Sequence, residues 1–118
     1  MYTPELLDHF EHPRNAGELS DANAGVRMEN PACGDVLELA AKIRDGRIED
    51  IRFRAKGCVA SMACASALTV LAKGKLVDEA RTIGREDIIR AVGALPPASS
   101  HAAQLSIDAL RALLGTGG

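Results

Sequence analysis

Apolar residues recur along the chain with two different periods. Residues 3–11 place Leu6, Leu7 and Phe10 at helical spacing, with Thr3 as the cap and Pro4 at the first helical position. Pro13 stops that helix. Residues 15–24 have the composition of a loop, and residues 25–28 then read as a short strand. From Leu37 the period changes to two: Leu37, Leu39, Ala41 and Ile43 alternate with Glu38, Lys42 and Arg44. Beyond Asp45-Gly46, Ile51, Phe53 and Ala55 alternate with Arg52, Arg54 and Lys56. Two alternating runs about a two-residue Asp-Gly joint predict a hairpin with one buried face.

The helical period returns after Gly57. Residues 58–71 are rich in alanine and long enough for four turns, which predicts a helix packed on most of its sides. Lys73-Gly74-Lys75 closes it. Residues 76–83 predict a short helix, and residues 85–92 another that carries Glu86 and Asp87 in its first turn. A connector over 93–100 leads to a last helix over 100–114, with Leu105, Ile107, Leu110 and Leu114 inward and a disordered glycine-rich end beyond. One helix, three short strands and then helices is the order of an α+β fold. The expectation is a three-stranded antiparallel sheet with about five helices packed on one face.

Composition narrows the function classes. The 118 residues, 47% hydrophobic and 25% charged, suit one domain spanning residues 1–118. A formal charge of -2, no tryptophan, one tyrosine and two phenylalanines offer neither a basic field nor stacking platforms for nucleic acid. No apolar run approaches the ~20 residues of a membrane helix, and the first residues lack the basic and apolar segments of a signal peptide. A cytoplasmic protein is expected. Three cysteines there read as thiols for metal or sulfur chemistry rather than as a disulfide framework.

The residues with chemical potential sit where loops meet regular structure. They are Cys33 and Asp35 in Pro31-Ala32-Cys33-Gly34-Asp35, Cys58 in Lys56-Gly57-Cys58, and His101 behind Leu95-Pro96-Pro97, with Ser99 and Ser100 as candidate helix caps. A metal takes sulfur as thiolate and imidazole as the neutral ring, and a helix start favours the first and disfavours the imidazolium. Cys33 and Cys58 flank the same hairpin, so its closure brings them together. Two thiolates, a carboxylate and an imidazole amount to the ligands of a tetrahedral zinc ion or of an incomplete iron-sulfur site. Spacing alone leaves separate packing roles equally open, because there is no Cys-x-x-Cys or His-x-x-x-His pair.

Other candidates have plainer readings. Cys64, six residues past Cys58, is turned about 240° away on a regular helix and reads as a buried, alanine-like side chain. His9 and His12 read as exposed or capping residues on the first helix. Arg52, Arg54 and Lys56 read as a solvated basic strand face able to meet an acidic partner. A Cys58–His101 hydrolase or acyltransferase lacks a glycine-framed nucleophile elbow.

Several segments in order resemble the IscU/NifU N-terminal family of iron-sulfur cluster assembly scaffolds, including its zinc-dependent SufU branch. They are YTPELLDHFEHPRNAG from Tyr2 to Gly17, PACGD from Pro31 to Asp35, IRDGRIEDIRFRAKGC from Ile43 to Cys58, KGK from Lys73 to Lys75, and LPP with His101. The resemblance implies the family's α+β fold and places the family's first cysteine on Cys33, its aspartate on Asp35, its second cysteine on Cys58 and its histidine on His101. Those four would hold iron, a transient 2Fe-2S cluster or zinc. It also implies a cysteine desulfurase as sulfur donor, recipient apoproteins, an Hsp70-type chaperone, and a monomer or weak dimer without catalytic residues. Two features depart from the family pattern. The third cysteine, which follows the histidine, is Ala102 here, and the chaperone segment reads Leu95-Pro96-Pro97-Ala98-Ser99 without its lysine. A zinc-bound desulfurase adaptor that builds no cluster is the alternative.

Overall fold

The computed structural model describes residues 1–31 and 34–115. Cys33 and the last three residues lie outside the described set, and with them the expectation of a disordered end. The elements are α1 (Pro4–Glu11), β1 (Ala24–Asn30), β2 (Asp35–Arg44), β3 (Arg47–Lys56), α2 (Val59–Ala72), α3 (Val77–Ala80), α4 (Arg85–Ala91) and α5 (Ser100–Leu114), with a 3-10 turn at Pro97–Ser99 before α5. The strands form one antiparallel sheet in the order β1-β2-β3.

The β2–β3 hairpin closes on Asp45 and Gly46, both in the left-handed region at φ 54° and 73°. Two such residues make the primed turn whose twist matches that of the strands, which is why an Asp-Gly joint sits there. Pairing then runs from Arg44↔Arg47 to Val36↔Lys56, with one irregularity at Lys42/Ile43. That register puts Leu37, Leu39, Ala41, Ile51 and Phe53 on one face, where they meet α2 and α5. α1 packs on α2, and α4 on α2 and α5, so the helices form two layers on that side of the sheet.

Small side chains make the crowding possible. Ala60, Ala63, Ala65, Ala67 and Ala72 are fully buried, so α2 accepts close neighbours all round as its composition predicts. Val70 is the exception, half exposed to solvent. The other borders follow the sequence with three corrections. β1 is longer than the four residues expected. The helix expected over 76–83 shrinks to the single turn Val77–Ala80, because Arg81 and Thr82 bond back to it as turns. The loop after α1 also contributes to the sheet: Gly17 N–H donates to Phe53 O and Phe53 N–H to Asn15 O, so 15–17 lies along the outer side of β3. Gly74 and Lys75 do the same for Ile48.

Candidate metal centre

Three element starts meet at one end of the sheet. Asp35 opens β2 on the same row as Leu37 and Leu39, so alternation turns a carboxylate inward and leaves it 2% exposed. Cys58 caps the N-terminus of α2, its sulfur accepting the Ser61 N–H at 3.4 Å. His101 is the second residue of α5 and reaches in from the third side. Ser99 and Ser100 do not cap α5 as expected. The 3-10 turn runs directly into the helix, Ser99 at the cap position makes no side-chain bond, and the turn itself brings His101 over the site.

Gly57 joins β3 to the site. Its φ is +141°, and a Cβ there would lie 2.0 Å from Asp35 Oδ1. Glycine is needed for both reasons, since no other residue adopts that backbone at low cost and none could let the carboxylate approach so closely. The Cys58 N–H donates to Asp35 Oδ1 at 3.0 Å, and Ser61 Oγ donates to Oδ2 at 2.7 Å. Burial alone would push the Asp35 carboxyl up. Hydrogen bonds from Ser61, the Cys58 backbone, the Cys58 thiol and His101 outweigh it and hold the carboxyl below its usual range.

The distances fit a metal ion. Asp35 Oδ2 is 3.2 Å from His101 Nε2 and 3.5 Å from Cys58 Sγ, and Sγ is 3.9 Å from Nε2. Bonds of about 2.0–2.3 Å in a tetrahedral site keep ligand atoms about 3.3–3.8 Å apart. Oxygen, nitrogen and sulfur donors from these three residues therefore already stand near the corners such an ion requires. The carboxylate lies at the floor, while Cys58 and His101 are half-buried at the rim. The hairpin between β1 and β2 closes next to them, with Gly34 N–H donating to Asn30 O.

Cys64 takes no part. It is fully buried in the core, where burial, and after it the nearby Cys58, pushes its thiol up to about 12. Ala102, where the family pattern has its third cysteine, is likewise fully buried. His12 caps and flanks α1 as expected, its ring 3.4 Å from Asp8. His9 does not: its Nδ1 pairs with the buried Ser66 Oγ at 2.8 Å, because α1 lies on α2. The basic strand face is largely neutralised from within, Arg52 by Asp50 and Arg54 by Glu18, while Lys56 is exposed. Ser61 and Gly57 belong to the site without being ligand types. Ser61 sits three residues after the cap, the helix position whose side chain returns to the helix start, and that spacing is its signal.

Comparison with known proteins identifies the family of the chain. Residues 1–116 match the family described as the NifU-like N-terminal domain. The chain is 43% identical over 111 residues to the iron-sulfur cluster assembly scaffold protein IscU 1 of Archaeoglobus fulgidus, covering 94% of this chain and 72% of that one. It is 42% identical over 117 residues to the Escherichia coli K12 protein of the same description, covering 96% and 91%. Among solved structures, a candidate scaffold protein for the SUF system from Fervidobacterium islandicum has the same fold, with a TM-score of 0.84 over 97% of this chain and 96% of that chain at 21% identity. The match runs through the sheet, the helices and all three element starts that carry Asp35, Cys58 and His101, and the chain belongs to the NifU-like N-terminal domain family.

Proposed function

We propose that this protein is an iron-sulfur cluster assembly scaffold. Its Cys33, Asp35, Cys58 and His101 would hold iron or a transient 2Fe-2S cluster while a cysteine desulfurase supplies sulfur and recipient apoproteins take the product. The observation that carries the reading is the convergence of carboxylate, thiol and imidazole within 4.8 Å of one another, in a chain whose relatives are described as such scaffolds. The cluster is cargo, and the donor set suits cargo. Thiolate binds soft iron-sulfur units firmly, whereas an aspartate oxygen binds them less firmly and leaves a corner that exchanges. The half-buried rim gives partners access to Cys58 and His101. The reading assigns no catalytic residue. No helix among the described residues is long and apolar enough to cross a membrane, and the reading places the protein in the cytoplasm.

Ala102 favours one second reading. Fully buried alanine supplies no thiol beside His101, and an O/N/S2 set is a complete tetrahedral zinc site in itself, as a zinc-bound desulfurase adaptor would need. Metal analysis of protein purified without chelator, followed by anaerobic reconstitution with iron, cysteine and a desulfurase, separates the two. A cluster absorbance lost in Cys58→Ala is the result expected of a scaffold. Near one zinc per chain with no cluster would overturn that reading in favour of the adaptor.

A further inference from the structure

Asp35 is held from one side by a residue that is not itself among the proposed ligands. Ser61 is 4% exposed, and its hydroxyl donates to Asp35 Oδ2 at 2.7 Å. The same oxygen faces His101 Nε2 and Cys58 Sγ, so Oδ2 is the point on which the whole cluster turns. Oδ1 is occupied by the Cys58 N–H, and the Gly57 backbone closes the remaining side. Of the groups on Oδ2, the histidine and the thiol are those a bound ion would claim. Ser61 is then the hydrogen bond that remains on Oδ2, opposite the Cys58 N–H on Oδ1, once they turn to a metal.

We infer that Ser61 is a positioning residue that sets the metal affinity of this site through Asp35. This rests on the reading that Asp35, Cys58 and His101 hold a metal. The hydroxyl holds the carboxylate in the orientation in which Oδ2 faces His101 Nε2 and Cys58 Sγ, so that no binding energy is lost to realigning it when an ion enters. Hydrogen-bond partners of metal ligands commonly govern affinity by about 10–100-fold.

Two readouts test it. In the apoprotein, Ser61→Ala frees the carboxylate to rotate away from the Cys58 N–H. The exchange of that amide proton, followed by NMR, is expected to quicken by up to about tenfold. An unchanged Cys58 amide in a folded variant would overturn the positioning role without touching the metal reading. With cobalt(II) as probe, Ser61→Ala is expected to bind about 10–100-fold more weakly while keeping the thiolate-to-cobalt absorption band, and Ser61→Thr to bind like the wild type. Adding Ser61→Ala to Asp35→Asn is expected to cost nothing more. The same loss in both backgrounds would show that Ser61 acts through Cys58 or the fold and would overturn the inference. A wild-type chain that takes up no cobalt would overturn the metal reading itself, and the Cys58 amide would still report whether Ser61 places Asp35.

Discussion

Helix α2 carries two buried polar clusters, and they behave as opposites. At its start, Asp35, Cys58, Ser61 and His101 meet through side chains brought by three separate elements. Two turns further along, Ser66 and Thr69 tie down the segment after α1. Ser66 Oγ accepts the Arg14 N–H at 2.9 Å and pairs with His9, and Thr69 Oγ1 accepts from Asn15 Nδ2 and faces the carbonyls of Arg14 and Ser66. The second cluster spends its groups largely on backbone, which offers no better partner elsewhere. The first binds two backbone N–H groups, those of Cys58 and Ser61, but otherwise joins its side chains to one another, at chain positions that an ion could take over without breaking a strand or a helix. Both are polar and both touch α2, so polarity does not distinguish a site from a rivet. What distinguishes them is whether the partners are exchangeable.

Substitutions can sharpen that contrast, beginning with the most damaging. Gly57→Ala forces a Cβ onto Asp35 Oδ1 and a strained φ together. It is expected to cost at least about 3 kcal/mol in denaturant unfolding and to abolish cobalt binding, because the joint serves fold and site at once. Ser66→Ala strips the Arg14 N–H and His9 of their partner in the rivet. A loss of about 1–3 kcal/mol is expected in the same measurement, with cobalt affinity unchanged. Cys58→Ala should do the reverse. Its stability cost is that of a lost helix cap, about 1 kcal/mol, while metal uptake measured by absorption disappears. A Ser66→Ala variant that lost metal, or a Cys58→Ala variant that unfolded, would erase the distinction.

Titration separates the two clusters more gently. The Asp35 carboxyl lies below its ordinary value near 4, so in the apoprotein its contribution to stability is present above about pH 4 and lost as pH falls through the folded value. His9 is also lowered, by burial first and then by the charge of Arg14, with Asp8 opposing. The unfolded chain therefore binds the proton more readily, and the rivet loses stability as pH falls below about 6.5. Thermal melts of the apoprotein should show the His9 step vanish in His9→Gln and the lower step vanish in Asp35→Asn. The smallest effect is chemical. At pH 8 an alkylating reagent should modify Cys58 in the folded protein and leave Cys64 untouched, since burial holds that thiol near 12.

Much of this was legible in the residues, for stated reasons. Period-two alternation about Asp45-Gly46 fixes the hairpin, and with it the register that sets Asp35 beside Gly57. The alanines of α2 announce burial on all sides, and the angle between Cys58 and Cys64 keeps Cys64 out of the site. What was not legible depends on partners distant in the chain. His9 looked like a surface residue because its partner Ser66 is 57 positions away. Ser61 carries no ligand signal, since a hydroxyl is not a metal ligand here, although its place three residues after Cys58 aims it at the helix start. The helix expected over 76–83 is cut to one turn because the N–H groups of Thr82 and Ile83 bond back three residues, to Glu79 and Ala80, instead of continuing the helix.

The segment over 15–17 lies along β3 as a stub of strand, with Gly74-Lys75 covering Ile48 further along. These two pieces of loop occupy backbone groups on the outer side of β3 that a fourth strand would otherwise pair. A chain cut after Gly17 would keep every donor atom of the metal centre described above, yet it would present bare hydrogen-bonding backbone beside Phe53. An unpaired edge of that kind is a template for another strand, and the segment over 15–17 covers it at Phe53.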